Sequence, residues 1–147
     1  MHSRANDTDR LNVGADEVHV RVTSAASGGA LVAFDVRMPP GGGPPFLHRH
    51  EPAELYRVER GEFAFYIAAA DGRVQRLTAR RGDVVTIPGA REHTVRNESE
   101  EESAAFVVLA PGEAFERFIR AAAGGGDIPA LAAVDGVERT RPLEAIR

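Results

Sequence analysis

Residues 42 to 61 read GGPPFLHRHEPAELYRVERG, and the rest of the chain is organised around them. His48, His50 and Glu54 supply three metal-binding donors within seven residues. Side chains alternate faces along an extended strand, so these three share one face if the chain stays extended through Pro52. Two imidazoles and a carboxylate suit a borderline divalent ion such as Zn, Fe, Mn, Ni or Cu. The prolines and glycines from Pro39 to Pro45 cannot continue a sheet, which makes this segment a rigid, irregular lead-in to the histidines.

Composition narrows the class. A chain of 147 residues with 43% hydrophobic and 27% charged residues is sized for one folded domain, and 15 glycines with 9 prolines imply frequent turns and short strands. A net charge of -4 offers no field for nucleic acid or an anionic membrane. No apolar run suggests a signal peptide or a membrane span, so the expectation is a cytoplasmic protein with neither nucleic acid nor membrane as partner. Cysteine is absent, and every basic residue is Arg. Thiolate metal sites and lysine Schiff-base chemistry are therefore excluded, and any metal must be held by N and O donors.

Outward from the opening stretch, the pattern is that of short strands. Residues 1–15 are polar and aperiodic and are expected as a loose tail. Val18, Val20 and Val22 then alternate with His19 and Arg21, which predicts a half-buried strand with His19 facing solvent. Residues 30–38 form a second strand with Val32, Phe34, Val36 and Met38 on its apolar face. Glu54, Tyr56 and Val58 share a face before Gly61-Glu62, and Phe63, Phe65 and Ile67 share one after it, which predicts a β-hairpin carrying Glu54 on its first arm. Asp71-Gly72 predicts another hairpin, and residues 84–87 end at Pro88-Gly89. His93, Val95 and Asn97 share a face of the strand over 92–97, so His93 is a plausible fourth inward donor. An acidic connection leads to a buried strand over 104–110.

The period changes only after Pro111-Gly112. Ala114, Phe115, Phe118, Ile119 and Ala122 predict an amphipathic helix ending at Gly124–Gly126, and Asp127 is placed to cap a second short helix over 128–134. Eight or nine short strands with helix only at the end predict an all-β barrel or sandwich.

With the strands placed, the chain resembles the cupin superfamily of single-domain barrels. Gly42, five residues, His48-x-His50, three residues, Glu54, six residues and Gly61 match the first cupin motif. Gly82, five residues, Pro88, then His93, three residues and Asn97 match the second. The departure is Ala90, where the family usually carries glycine; Gly89 is expected to take up the strain. The tail around 115–120 is similar to that of quercetin-dioxygenase-like monocupins.

The resemblance implies a jelly-roll barrel over 16–111 with a helical extension over 112–147. It also implies one divalent transition metal (Fe, Mn, Ni or Zn) on His48, His50, Glu54 and His93. Three imidazoles and one carboxylate leave coordination positions open, as a catalytic site requires, and Glu54 is the natural proton acceptor for an incoming hydroxyl. Tyr56 and Phe65 are candidate walls of a substrate pocket. The leading expectation is a dioxygenase-type oxidoreductase acting on a small oxygenated substrate, phenolic, flavonol-like or diketone-like. The alternatives are a non-catalytic metal- or ligand-binding cupin, or a sugar isomerase or epimerase. A homodimer formed through the 18–22 strand is also expected.

Overall fold

The computed structural model describes residues 2–126 and 135–146. Two antiparallel sheets face one another as a jelly-roll barrel. The first takes β1 (Arg10–Val13), β2 (Asp16–Val22), β3 (Val32–Met38), β10 (Ser103–Ala110), β5 (Ala53–Arg60) and β8 (Val84–Ile87), in that spatial order. The second takes β11 (Glu138–Pro142), β4 (Phe46–Arg49), β9 (His93–Arg96), β6 (Glu62–Ala68) and β7 (Val74–Arg80). Helix α1 (Glu113–Ala123) follows β10.

Period-two patterning explains the core. Val18, Val20, Val32, Phe34, Val36 and Met38 meet Val58, Phe63, Phe65, Val95, Val107 and Leu109 in one apolar cluster between the sheets. The opposite face of the second sheet is covered as well. Leu47, Ala64 and Tyr66 pack under Leu143 in a smaller cluster, so the C-terminal segment shields an outer face that would otherwise be wet. In α1 the acidic residues Glu113 and Glu116 occupy the first turn and Arg120 the last, which suits the helix dipole. Phe118 and Ile119 carry that helix into the main core.

Four expectations change. Residues 10–13 are not loose tail: they pair with β2 from Arg10↔His19 to Val13↔Asp16, and the Val20 N–H donates to Asp9 O at 2.8 Å. The outer edge is therefore β1, and the 18–22 strand lies inside the sheet. His19 is consequently 4% exposed rather than solvent-facing, because the N-terminal segment covers that face; Arg21 reaches Ser3 Oγ at 2.8 Å beside it. The C-terminal extension is not helical throughout, since β11 joins the second sheet against β4. The cap at Asp127 and the helix over 128–134 lie outside the described residues.

The fourth change concerns the hairpin at Gly61. β5 pairs with β10 and β8, whereas β6 pairs with β7 and β9. Gly61-Glu62 is a corner that carries the chain from one sheet to the other. Both arms have clean alternation, so sequence pattern alone could not separate a hairpin from a corner. The expected hairpin at Asp71-Gly72 is present as the full β6–β7 ladder.

Gly61 makes that corner in the left-handed region, at φ +68°, and a Cβ there would stand 2.7 Å from Ser103 Oγ and 2.9 Å from Glu102 O. Gly61→Ala therefore combines backbone strain with overpacking and is expected to cost about 2–4 kcal/mol of stability, read as a drop in the urea midpoint at unchanged slope. A loss below about 0.5 kcal/mol would show that the corner is not the constraint described.

Candidate metal centre

β4 delivers His48, and His50 follows one residue past its end, while Leu47 is turned to the opposite side and fully buried there. β9 lies beside β4 and pairs His93 directly with His48. β5 brings Glu54 from the facing sheet, paired with Ile87 on β8 and Leu109 on β10. Two strands of one sheet and one of the other thus converge within the barrel.

The geometry is compact. Ring centroids lie 4.5 Å apart for His48 and His93, 5.1 Å for His50 and His93, and 5.5 Å for His48 and His50. Each of the three imidazoles offers a nitrogen within 4.8 Å of the other two, comparable with the roughly 3–4 Å between donors about 2.1 Å from one ion. Glu54 Oε2 lies 3.5 Å from His50 Nε2 and is in contact with His93 Nε2. His50, Glu54 and His93 are 4%, 4% and 1% exposed, whereas His48 is half-buried.

Backbone carbonyls orient two of the rings. His50 Nδ1 lies 3.0 Å from Pro52 O, and His93 Nδ1 lies 2.7 Å from Arg91 O. An Nδ1–H donated to each carbonyl leaves Nε2 as the free lone pair, which is the usual outer-shell arrangement of a metal-binding imidazole. Both Nε2 atoms, together with Glu54 Oε2 and His48 Nδ1, are buried and have no hydrogen-bond partner. Orphaned polar atoms are costly in an apolar interior, and four gathered at one point fit a divalent ion.

The charge states of His48 and Glu54 agree with that fit. Burial lowers His48 to about 3, with His93 adding to the effect, so His48 is neutral at any ordinary pH. Burial alone would raise Glu54, but the imidazoles of His50 and His93 outweigh it and hold the carboxylate well below its usual range. His93 is desolvated, which lowers it, yet Glu54 beside it carries it above its ordinary value.

A cavity of about 940 Å³ reaches this cluster at His48. Its wall includes Val13, Phe46, Phe118 and Val137, with Asp16 and Arg139 among the few charged groups. Arg139 lies over the Phe46 ring at 4.0 Å. Neither Tyr56 nor Phe65 lines this cavity: Phe65 is 0% exposed in the main core, because the inward face of β6 is packed solid there. Tyr56 packs edge-on against Phe65 at 5.1 Å. Burial raises the Tyr56 phenol well above its ordinary value, with the Glu54 and Asp16 carboxylates adding to the shift.

Asp16, at the start of β2, lines this cavity and was not among the site residues expected from the sequence. Its signal was its phase: it has the parity of Val18 and Val20, which face the core. Asp16 Oδ1 is buried without a hydrogen-bond partner, and burial pushes the carboxyl up to about 6, with Arg96 pulling the other way.

The cupin domain model matches residues 34–116, and the chain belongs to the cupin family. No curated protein matches the sequence. Among solved structures, a variant of oxalate decarboxylase from Bacillus subtilis is 24% identical with a TM-score of 0.62; the match covers 75% of this chain but only 29% of that one. A predicted oxalate decarboxylase from Thermotoga maritima is 20% identical with a TM-score of 0.61, covering 75% of this chain and 98% of that one. The polyketide cyclase RemF from Streptomyces resistomycificus is 18% identical with a TM-score of 0.61, covering 76% and 80% respectively. These likenesses show the shared fold. Among the described residues no helix is long and apolar enough to cross a membrane.

Two expectations follow from the site. An ion that binds only the folded chain stabilises it, by about 2.7 kcal/mol at a hundredfold excess over Kd. Divalent Ni, Mn or Zn should therefore raise the melting temperature of the native sequence but not of His50→Ala or His93→Ala, and equal shifts in all three proteins would refute the site. The second expectation concerns Asp16, whose raised pKa opposes folding only when the group is charged. That cost is complete above about pH 6 and absent below about pH 4. Asp16→Asn should be more stable than the native sequence by about 1–3 kcal/mol near pH 7.5, with the gap closing on acidification, as read by urea melts across pH.

Proposed function

We propose that this cupin is a metal-dependent enzyme of dioxygenase type, acting on a small oxygenated substrate of phenolic, flavonol-like or diketone-like character. The observation that carries this reading is the set of four convergent donors, with their unpartnered atoms turned inward, beside a largely apolar cavity that His48 lines. His48, His50, Glu54 and His93 would hold the ion. Bound there, a divalent Fe, Mn or Ni ion would supply Lewis acidity together with access to dioxygen chemistry.

The protein's own groups do the remaining work. Glu54 is a desolvated carboxylate set among imidazoles, suited to accept the proton of a substrate hydroxyl as that oxygen approaches the cluster. Phe115 stacks edge-on at 5.4 Å from His50 and helps to exclude water from that side. The apolar cavity wall favours a flat hydrophobic body with its oxygens at the ends.

A non-catalytic cupin, in which an ion only orders the pocket, is the second reading. The half-buried His48 supports it, since a ligand could engage the site edge without reaching the interior. A sugar isomerase is less well supported, because the cavity lining is mainly apolar and its Arg139 is already engaged by Phe46.

Metal analysis of the purified protein, followed by anaerobic reconstitution with Fe(II), Mn(II) or Ni(II) and an oxygen electrode, tests the assignment. Oxygen uptake with a flavonol, catechol or diketone, lost in Glu54→Gln, is the expected result. Ligand-induced thermal shifts without oxygen uptake by any metal form would leave only the binding function.

A further inference from the structure

We propose that Arg139 is an anion-binding residue: its guanidinium takes the carboxylate of a ligand whose aromatic ring lies in the cavity beside Phe46. This inference rests on the reading above and adds a negative charge to the ligand that it describes.

Register places Arg139 beside the metal centre. On β11 it is the direct partner of His48 on β4, and directly opposed residues of an antiparallel pair project from the same face of the sheet. Phe46, His48 and Arg139 all line the cavity of about 940 Å³. The Phe46 ring stands edge-on to His48 at 6.4 Å between centroids, and the Arg139 guanidinium lies over that ring at 4.0 Å. A cation, an aromatic ring and a candidate metal ligand thus form one continuous wall. Arg139 is exposed, so its donors are open to whatever enters the cavity.

Its charge is left over. The other charged side chains of β11 are paired within the protein, Glu138 with Arg49 at 3.4 Å and Arg141 Nε with Glu92 Oε2 at 2.9 Å. Among the described residues no carboxylate pairs with Arg139. Asp16 lines the same cavity, but the cation that acts on it is Arg96. Glu54 is turned to His50 and His93.

Stacking on Phe46 occupies the face of the guanidinium and leaves its in-plane N–H groups free, the edge that binds a carboxylate through two parallel hydrogen bonds. The stack also restricts the side chain before any anion arrives, so less freedom is lost on binding. Val13, Phe118 and Val137 make the remaining wall apolar, which suits a ring rather than a sugar behind the carboxylate. β11 lies outside residues 34–116, the segment shared with the cupin domain, so this anion site is an addition that the C-terminal strand brings to the barrel.

The test uses the full chain, loaded with redox-inert Zn(II) and again metal-free. The probes are 6-hydroxy-2-naphthoate and its methyl ester, which share a ring system and differ in the charge of the carboxyl group. Fluorescence titration should show the native sequence binding the acid about 10-fold more tightly than the ester or better, since charge-assisted bidentate hydrogen bonds are among the strong ones. That ratio should fall to near one in Arg139→Gln and to an intermediate value in Arg139→Lys, which keeps the charge but loses the fork. It should persist without zinc, with circular dichroism unchanged in both variants.

Equal binding of acid and ester by the native sequence overturns the role of Arg139. So does a ratio that survives in Arg139→Gln, and one that vanishes with the zinc assigns the carboxylate to the ion instead. All three results leave the enzyme reading intact, because oxygen uptake with an uncharged phenolic substrate does not involve Arg139. Failure of both probes to bind overturns this proposal together with the aromatic ligand class. Should Arg139→Gln fail to fold, Arg139→Lys decides the matter, and a native ratio in that variant overturns the proposal.

Discussion

Four polar side chains face one another inside an apolar barrel, and none of their inward atoms has a conventional hydrogen-bond partner. His50 Nε2, His93 Nε2, Glu54 Oε2 and His48 Nδ1 are all buried in this condition. In an interior built from Val20, Phe34, Phe63, Phe65, Val107 and Leu109, such a cluster is a cost that only mutual charge compensation or a bound ion removes. Glu54 shows the partial compensation available without an ion: its carboxylate stays charged despite burial because two imidazoles adjoin it. The barrel must therefore be stable enough from its apolar packing to hold the cluster together.

That packing depends on corners rather than hairpins. A strand that stayed in one sheet after Gly61 would leave Glu54 and Phe63 on a single layer. Because the chain changes sheets between β4 and β5 and crosses back at Gly61, β5 presents Glu54 from one side while β4 and β9 present the histidines from the other. The interior between the layers becomes the site. Ser103 secures the same corner, since its Oγ donates to Glu62 O at 2.6 Å and accepts from Glu62 N–H at 3.1 Å. Asn97 performs a similar task at the end of β9, where its Nδ2 donates to Met38 O at 2.9 Å and Glu101 O at 2.7 Å while the residue is fully buried. The second cupin motif thus ends on a residue that fastens the loop beyond the ligand strand.

Strand identity and phase were legible in the sequence because one face of each strand is apolar: Val32 to Met38 and Phe63 to Phe65 fall where alternation places them. The ligand set was legible because its spacing is fixed by β4, β5 and β9. What alternation does not encode is which sheet a strand joins, so the corner at Gly61 was read as a hairpin. Nor does it encode what covers an outer face. His19 is polar and in phase with solvent, yet β1 and the N-terminal segment cover it. Asp16 runs in the opposite sense: it is a carboxylate in the inward phase of Val18 and Val20 at the very start of β2, where a polar side chain does not announce itself as part of the interior. Tyr56 and Phe65 share the inward face with Glu54 only in part, since that end of the barrel is filled by aromatic packing instead of cavity.

Ala90 joins the two ligand motifs. Gly89 does not absorb the unusual turn. Ala90 itself adopts φ +61°, while Gly89 is needed for clearance, because a Cβ there would stand 2.2 Å from Glu51 O. A left-handed conformation costs an alanine roughly 1–2 kcal/mol. The turn persists because its neighbours over-determine it: the Ala90 N–H donates to His50 O at 2.7 Å, and Arg91 O, one residue on, holds His93 Nδ1. Backbone groups of three consecutive positions, Gly89 to Arg91, therefore touch the strand end bearing His50 and the ring of His93. Relaxing Ala90 toward an ordinary φ would shift the His50 carbonyl contact and the His93 ring together. The local strain is thus coupled directly to the relative position of two of the four donors.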